Sequence, residues 1–425
     1  MRVTILHTND LHGRVEQLAR AATLVRRIRA ETEHPVVYVD AGDLEETTNR
    51  LSNLTKGTAM QPILSAAGCQ AACVGNAVWL RYGAQVLADH AAAAHYPLLL
   101  ANLVPVQGVH ATTTIDRVGF VGVTDAFRDF LTMGEYGFEP LGEVETVRRH
   151  ARDLRREGAS LVVVLSHLGL GEMADRRGLR MTDRELAAAL SGEIDLIVGG
   201  HSHDLLPHGE WVEGVLIAQA GGLGSHLGRV DVDGGDLRAS VIPLDEGVAE
   251  DPEVLAAAEL QERKLDAALN EVVTELAEPL DASRIAEILR LRMGADVGLQ
   301  TSGAAIDRPL PAGPLRRADL WEACHSTGNP GVVSMTGAQL VQVVERGADR
   351  AFQRTTAGPL RGRPRGPLHV AGPDGIDPER GYLVAGTDWE LEPYGGMVEE
   401  SWRLRARYDF PVILREAVEE YFRKT

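Results

Sequence analysis

The sequence predicts a layered α/β domain, then a linker helix, then a smaller α+β domain. Three observations carry this. Apolar β-type runs alternate with helical segments through the first half. From about residue 211, short strand-like segments broken by Gly and Asp take over. Residues 251–277 then form one long helix-like stretch that stops before Pro279.

The elements follow in order. RVTIL (2–6), PVVYV (35–39), AACVG (71–75), PLLLAN (97–102), VGFVGV (118–123), LVVVLSH (161–167) and DLIVGG (195–200) read as strands. Several are too continuously apolar to have one face in water. Between them, 16–31, 83–94, 143–157 and 182–190 carry helical periodicity or Ala-rich helix formers. VLIAQAG, GRVDVD and LRASVIPL suit antiparallel strands that close the domain, which is set at 1–248. The stretch from Asp251 to Ala277 opens with an acidic cap and has Pro252 in its first turn, giving a linker helix at 249–278. Beyond it, 283–292, 316–323 and 336–348 read as helices, and ADVGLQ and GVVSM as strands. They belong to a second domain at 279–425. The run Arg361, Arg363, Arg365 in GPLRGRPRGP reads as a solvated loop rather than a phosphate clamp.

A chain of 425 residues exceeds one ordinary core. Its formal charge of −18 opposes a nucleic-acid groove, which needs a basic surface. Small phosphorylated substrates stay compatible, because bound cations reverse the sign locally. No apolar run approaches the ~20 residues that span a bilayer, so no membrane partner is expected. MRVTILHTNDLHG has neither a basic n-region nor a long apolar stretch, and the expected compartment is the cytoplasm. Cys69, Cys73 and Cys324 are too few for a disulfide framework and read as buried thiols.

The residues able to do chemistry gather where strands end, which is where α/β sheets bind ligands. Asp10 and His12 follow the first strand, Asp43 the second and Asn76 the third. His167 ends LVVVLSH, and His201 and His203 follow DLIVGG. Taken singly, Asp10 or Asp43 is an ordinary cap or turn residue, His167 a hydrogen-bonded imidazole and Asn76 a turn former. Five strand ends that all present oxygen or nitrogen ligands favour a metal site instead. Carboxylates, an amide and imidazoles without thiolate suit Mn, Zn, Mg or Fe as divalent ions. Two such ions about 3.5–4 Å apart would clamp a phosphoryl group for attack by a metal-activated hydroxide. Asp43, central in the set, is the expected bridge.

ILHTNDLHGR, DAGD, GN, SHLG and GGHSH, in that order, resemble the metallophosphoesterase domain of the bacterial 5′-nucleotidase family. That family includes UDP-sugar hydrolases and 2′,3′-cyclic nucleotide phosphodiesterases. The resemblance implies a β-sandwich flanked by helices, holding two divalent metal ions. Asp10, His12, Asp43 and His203 would hold one, and Asp43, Asn76, His167 and His201 the other. The second half is similar to the family's nucleotide-recognition domain, with PLPAGPLRRADLWEACHSTGNPGVVSMTGAQL and GYLVAGTDWELEPYGGM as its matching stretches. There Trp389 falls where relatives supply an aromatic for base stacking.

The pattern also breaks. Where relatives read Gly-Asn-His-Glu-Phe-Asp, this chain has Gly75, Asn76, Ala77, Val78, Trp79, Leu80. The catalytic imidazole would stand at Ala77 and its orienting aspartate near Leu80, leaving Arg81 or His7 as candidate substitutes. In SGAAID, Ser302 replaces the family's asparagine and Asp307 its arginine. The expected function is a dinuclear-metal phosphohydrolase of altered specificity, acting on a small nucleotide-like phosphate ester or anhydride. The competing expectation is a metal-retaining nucleotide-binding or regulatory protein with impaired catalysis.

Overall fold

The computed structural model describes all residues except 47–48, 105, 126–138, 172–180, 307, 325, 357–363 and 425. The chain forms two compact units, Met1–Arg263 and Lys264–Thr425, with the division inside the helix Pro252–Leu269.

Among the described residues the first unit has thirteen strands: β1 (Arg2–Thr8), β2 (Val36–Asp40), β3 (Ala71–Cys73), β4 (Leu98–Leu99), β5 (Val109–His110), β6 (Thr112–Ile115), β7 (Val118–Thr124), β8 (Leu161–His167), β9 (Leu196–Gly199), β10 (Glu210–Val212), β11 (Val215–Ala218), β12 (His226–Asp233) and β13 (Asp236–Pro243). One sheet runs β13-β12-β1-β2-β3-β4-β5 and the other β10-β11-β9-β8-β7-β6. From β1 to β5 the pairing is parallel, as it is through β7, β8, β9 and β11, while β12 and β13 add antiparallel edges.

The two sheets face each other. Val3, Ile5, Val37, Val39 and Ala71 of one meet Phe120, Val163, Leu165 and Val198 of the other in an apolar core. Alternate residues of the second sheet, Val121, Val162, Val164 and Ile197, turn outward onto Val147 and Ala151 of helix Glu143–Arg156 and onto Leu186 of helix Asp183–Ala189. Both faces of these strands are therefore buried, which is why they read as continuous apolar runs. The layered β-sandwich flanked by helices is the observed architecture. Parallel strands in each sheet end on the same side, so the loops after β1, β2, β3, β8 and β9 converge there.

The second unit has β14 (Val272–Leu276) paired with β16 (Gly313–Arg316). It also has a five-stranded sheet in the order β18-β15-β19-β17-β20, from β15 (Val297–Thr301), β17 (Pro330–Thr336), β18 (Leu368–Ala371), β19 (Gly381–Thr387) and β20 (Arg407–Tyr408). Helix Ala282–Met293 packs on one face through Ile285 and Ile288, with Val332 and Ala385 beneath. Leu340 and Val343 of helix Gly337–Ala348 cover the other face over Val333 and Val384.

The linker helix is shorter than its sequence suggests. It ends at Leu269, and Val272–Leu276 is a strand instead. The β-branched run Val272, Val273, Thr274 prefers a pleated surface, and pairing with β16 supplies one. Helices Arg50–Leu54 and Met60–Ala66 have no counterpart in the sequence reading. All three cysteines are free and buried. Among the described residues no helix is long and apolar enough to cross a membrane.

Candidate metal centre

The parallel pairing of β1 with β2 continues past the strand ends as backbone hydrogen bonds. Asp10 N donates to Gly42 O at 2.9 Å, His12 N to Asp43 O at 2.9 Å and Gly13 N to Leu44 O at 2.8 Å. This zipper sets the NDLHG loop against the DAGD loop. Asp10, His12, Asp43, His201 and His203 all have left-handed φ, between 47° and 72°. Non-glycine residues rarely accept that conformation, and such strain concentrates at functional sites.

Two groups of potential ligands result. Asp10, His12 and His203 form one, and Asp10, Asp43 and His167 the other; within each, one ligand atom per residue lies within 4.8 Å of the rest. Asp10 belongs to both. Asp10 Oδ1 stands 3.3 Å from His203 Nε2, 3.7 Å from His12 Nε2 and 3.8 Å from His167 Nε2. Its carboxylate is fully buried, accepts His201 N on both oxygens and takes a further bond from Asn9 Nδ2 at 2.8 Å.

Asp43 is held from behind. Asn76 N and Ala77 N donate to its Oδ1 at 2.6 and 2.8 Å, and its Oδ2 faces His167 Nε2 at 3.2 Å. Gly75 is needed for this approach, because a Cβ there would lie 2.1 Å from Asp43 N and Oδ1. Burial penalises charge on both members of the Asp43–His167 pair, but their attraction wins. Asp43 is held well below the usual carboxylate range and His167 is pushed up to about 10.

The donor set fits a cation. His167 Nδ1 lies 2.8 Å from Ala41 O, which fixes the tautomer that leaves Nε2 free to coordinate. Asn76 Oδ1 and His12 Nδ1 are buried atoms without a hydrogen-bond partner, a state that water or an ion ordinarily relieves. At 3.4 Å from Glu46 Oε2, His12 Nδ1 is close enough for ionic contact but lacks hydrogen-bond geometry.

Not every expected residue joins the two groups. The His201 ring lies edge-on to His167 at 5.2 Å, with Nε2 3.6 Å from Asp125 Oδ2. Ala77 contributes its amide, while Val78, Trp79 and Leu80 are buried and Trp79 Nε1 donates to Gly75 O. The loop is thus anchored by apolar packing. His7, one of the expected substitutes, is buried with its ring packed on Gly228, where a Cβ would meet Nε2 at 2.1 Å. Burial lowers its pKa to about 4, so it is a neutral interior group. Arg81 lies on the single-turn helix Trp79–Tyr82 and is partly exposed.

Sequence reasoning missed Asn9, Asp40 and Glu46. Asn9 braces Asp10, and its Oδ1 accepts Ala220 N at 3.0 Å. Asp40 takes bonds from Thr8 Oγ1 and Gly42 N, which tie down the turn into DAGD. For Asn9 and Asp40 the signal was available, since they lie inside TNDLHG and DAGD; Glu46 lies outside both.

In the second unit Trp389 is 9% exposed and meets Tyr394 edge-on at 4.9 Å. A stacking partner needs an open ring face, and here the exposed ring is Tyr394, whose hydroxyl donates to Asp388 Oδ2 at 2.5 Å. Ser302 lines a cavity of about 530 Å³ with Gly303, Gly366 and His369. Asp307, Arg361 and Arg363 lie outside the described residues. Arg365 is not solvated: it is buried, 4.9 Å over the Phe352 ring, with Nε donating to Thr355 Oγ1.

The calcineurin-like phosphoesterase family matches residues 3–205. The uncharacterized metallophosphoesterase YunD of Bacillus subtilis is 25% identical over 464 aligned positions, covering 99% of this chain and 96% of that protein. The snake venom 5′-nucleotidase of Gloydius brevicauda is 28% identical, and the match covers 60% of this chain and 50% of the venom protein. Among solved structures, the 5′-nucleotidase precursor of Thermus thermophilus superposes with a TM-score of 0.58 at 21% identity, covering 100% of this chain and 96% of that one. Haemophilus influenzae NAD nucleotidase gives 0.59 at 15% identity, with coverage of 100% and 96%. At these identities the structures establish a shared fold and not a shared substrate. Residues 3–205 thus match the calcineurin-like phosphoesterases and the chain has 5′-nucleotidases among its homologues, which together support a metal-dependent phosphoesterase.

Proposed function

We propose that this protein is a dinuclear-metal phosphohydrolase acting on a nucleotide or related small phosphate ester or anhydride, with specificity altered from that of 5′-nucleotidases. The observation that carries the proposal is the pair of ligand groups sharing buried Asp10 at the converging strand ends. Asp10, His12, Asp43 and His203 would hold one divalent ion, and Asp43, Asn76, His167 and His201 the other. When bound, such ions neutralise phosphoryl oxygens and make water a competent nucleophile near neutral pH.

The chain's own residues set the geometry. Ala41 O holds His167 in its coordinating tautomer, and the amides of Asn76 and Ala77 aim Asp43. His203, with its side chain 41% exposed, marks the open side of the cluster, while Asp10 and His167 form its buried floor. No imidazole projects from position 77, so the departing group must leave with little help from a side-chain acid there. A positioned acid is worth roughly 10²–10⁴ in rate. Aryl esters, anhydrides and strained cyclic phosphates tolerate that loss best, because their leaving groups carry charge well.

The test is a turnover panel of nucleotides, sugar nucleotides, cyclic nucleotides and aryl phosphates with Mn²⁺, Zn²⁺ and Mg²⁺. Activated esters should be hydrolysed in a metal-dependent manner, and Asp43→Ala should abolish this. Absence of turnover across the panel, by protein shown to contain metal, would refute the proposal. It would favour the second reading, a metal-retaining nucleotide-binding or regulatory protein, which rests on Ala77 and Leu80 standing in place of the family's catalytic pair.

A further inference from the structure

Leu223 lies in the sequence Gly221-Gly222-Leu223-Gly224, in the connection between β11 and β12. Its φ is +56°, and among the described non-glycine residues with left-handed φ it is the only apolar one. An L side chain adopts that conformation at an energetic cost, which glycine would avoid. The side chain does not repay the cost through core packing, since Leu223 is 45% exposed.

The loop is laid against the metal centre at two points. Leu223 N donates to Asp10 O at 2.7 Å, and a Cβ on neighbouring Gly222 would meet the His203 ring at 2.6 Å. A second exposed leucine, Leu205 at 41%, follows His203 by two residues, with its Cδ1 3.7 Å from the Cβ position of Gly221. Two exposed leucines therefore stand on segments that border the exposed histidine of the cluster.

We propose that Leu205 and Leu223 form an apolar rim that receives the aryl or otherwise apolar ester group of the substrate while its phosphoryl group occupies the cluster. This rests on the phosphohydrolase reading above and adds the chemical class of the ester group. The strained loop holds an apolar surface beside a strongly polar centre, which favours phosphate compounds bearing a hydrophobic substituent over bare or hydrophilic ones.

The experiment measures calorimetric binding of phenylphosphonate and methylphosphonate to the Mn²⁺-loaded full-length protein, for wild type, Leu223→Gly and Leu205→Ala. Wild type should bind phenylphosphonate about tenfold tighter than methylphosphonate. Leu223→Gly should remove most of that preference, change methylphosphonate affinity less than about twofold and melt no lower than wild type, because glycine relaxes the backbone. Leu205→Ala should reduce the preference in the same direction. Equal affinity of wild type for the two phosphonates, or a preference that survives both substitutions, overturns the rim. Failure of metal-loaded wild type to bind either phosphonate overturns the underlying phosphohydrolase reading with it.

Discussion

Gly75→Ala tests how the metal centre is built. A Cβ at Gly75 would sit 2.1 Å from Asp43 N and Oδ1 and 2.8 Å from its Cα, against ordinary contacts of about 3.5 Å. Asp43 or the 75–77 loop must therefore move by more than about 1 Å. Asp43 already holds a left-handed φ of +51° and depends on the amides of Asn76 and Ala77. Each hydrogen bond to a charged group contributes roughly 1.5–3 kcal/mol, so losing two would cost about 3–6 kcal/mol and partial relaxation leaves ~2–4 kcal/mol. Displacing Asp43 should also lower metal affinity about 10- to 100-fold, as removal of an outer-shell partner does. The assay is urea unfolding under chelation, together with Mn²⁺ binding by calorimetry. Gly142→Ala serves as the control, because a Cβ there meets nothing within 4 Å. Gly200→Ala is a milder version, with contacts of 2.9 Å to His167 Nδ1 and 3.1 Å to Asp10 Oδ2, and remains measurable if Gly75→Ala does not fold. Gly75→Ala protein that unfolds and binds Mn²⁺ like the Gly142→Ala control would refute the claim that close backbone approach positions Asp43.

Two further predictions concern catalysis and pH. Ala77→His should raise turnover of alkyl phosphomonoesters about tenfold or more while changing aryl ester hydrolysis little; it stays toward the low end of acid–base catalysis because Leu80 supplies no orienting carboxylate. An unchanged or lower alkyl rate would mean the site has been rebuilt around another group. Asp183 is fully buried, which raises its pKa from 3.8 to about 7, with Ser166 Oγ bonded to Oδ1 and Oδ2 left without a partner. Its folded pKa exceeds its unfolded one, so this group's contribution is fully present below about pH 3.8 and declines as pH rises through 7. Asp183→Asn should therefore be more stable than wild type at pH 8 by ~2–4 kcal/mol and show a flatter pH profile. Urea titrations at pH 5 and 8 that show the same pH dependence in both proteins would contradict this.

The strands were legible because burial on both faces leaves an apolar run that little else in a globular chain produces. Their ends were not. PLLLAN reads as a six-residue strand, but the regular strand is only Leu98–Leu99, because the amides of Leu100 and Ala101 turn to His110 O and Gly122 O on two different strands instead of continuing one ladder. The helix expected to continue to Ala277 stops at Leu269 for the same reason: Val272–Leu276 finds a partner in Gly313–Arg316. Asn9 and Asp40 stood inside motifs already quoted, yet their roles as braces needed hydrogen-bond partners distant in sequence, such as Ala220 for Asn9.

By itself the sequence determined which residues can coordinate a cation and that they follow strand ends, because residue chemistry and the two-residue period of a strand are local properties. Tertiary structure decided how those ligands are grouped. It placed Asp10 in both ligand groups and Asp43 beside His167, and it set the His7 ring against Gly228. It also enclosed Trp389 beside an exposed Tyr394. The physical reason is that the grouping depends on sheet pairing and packing between segments up to about two hundred residues apart, such as His12 beside His203. The left-handed φ values at five of the expected ligands have the same origin, since strain of that kind is held only by the packed surroundings.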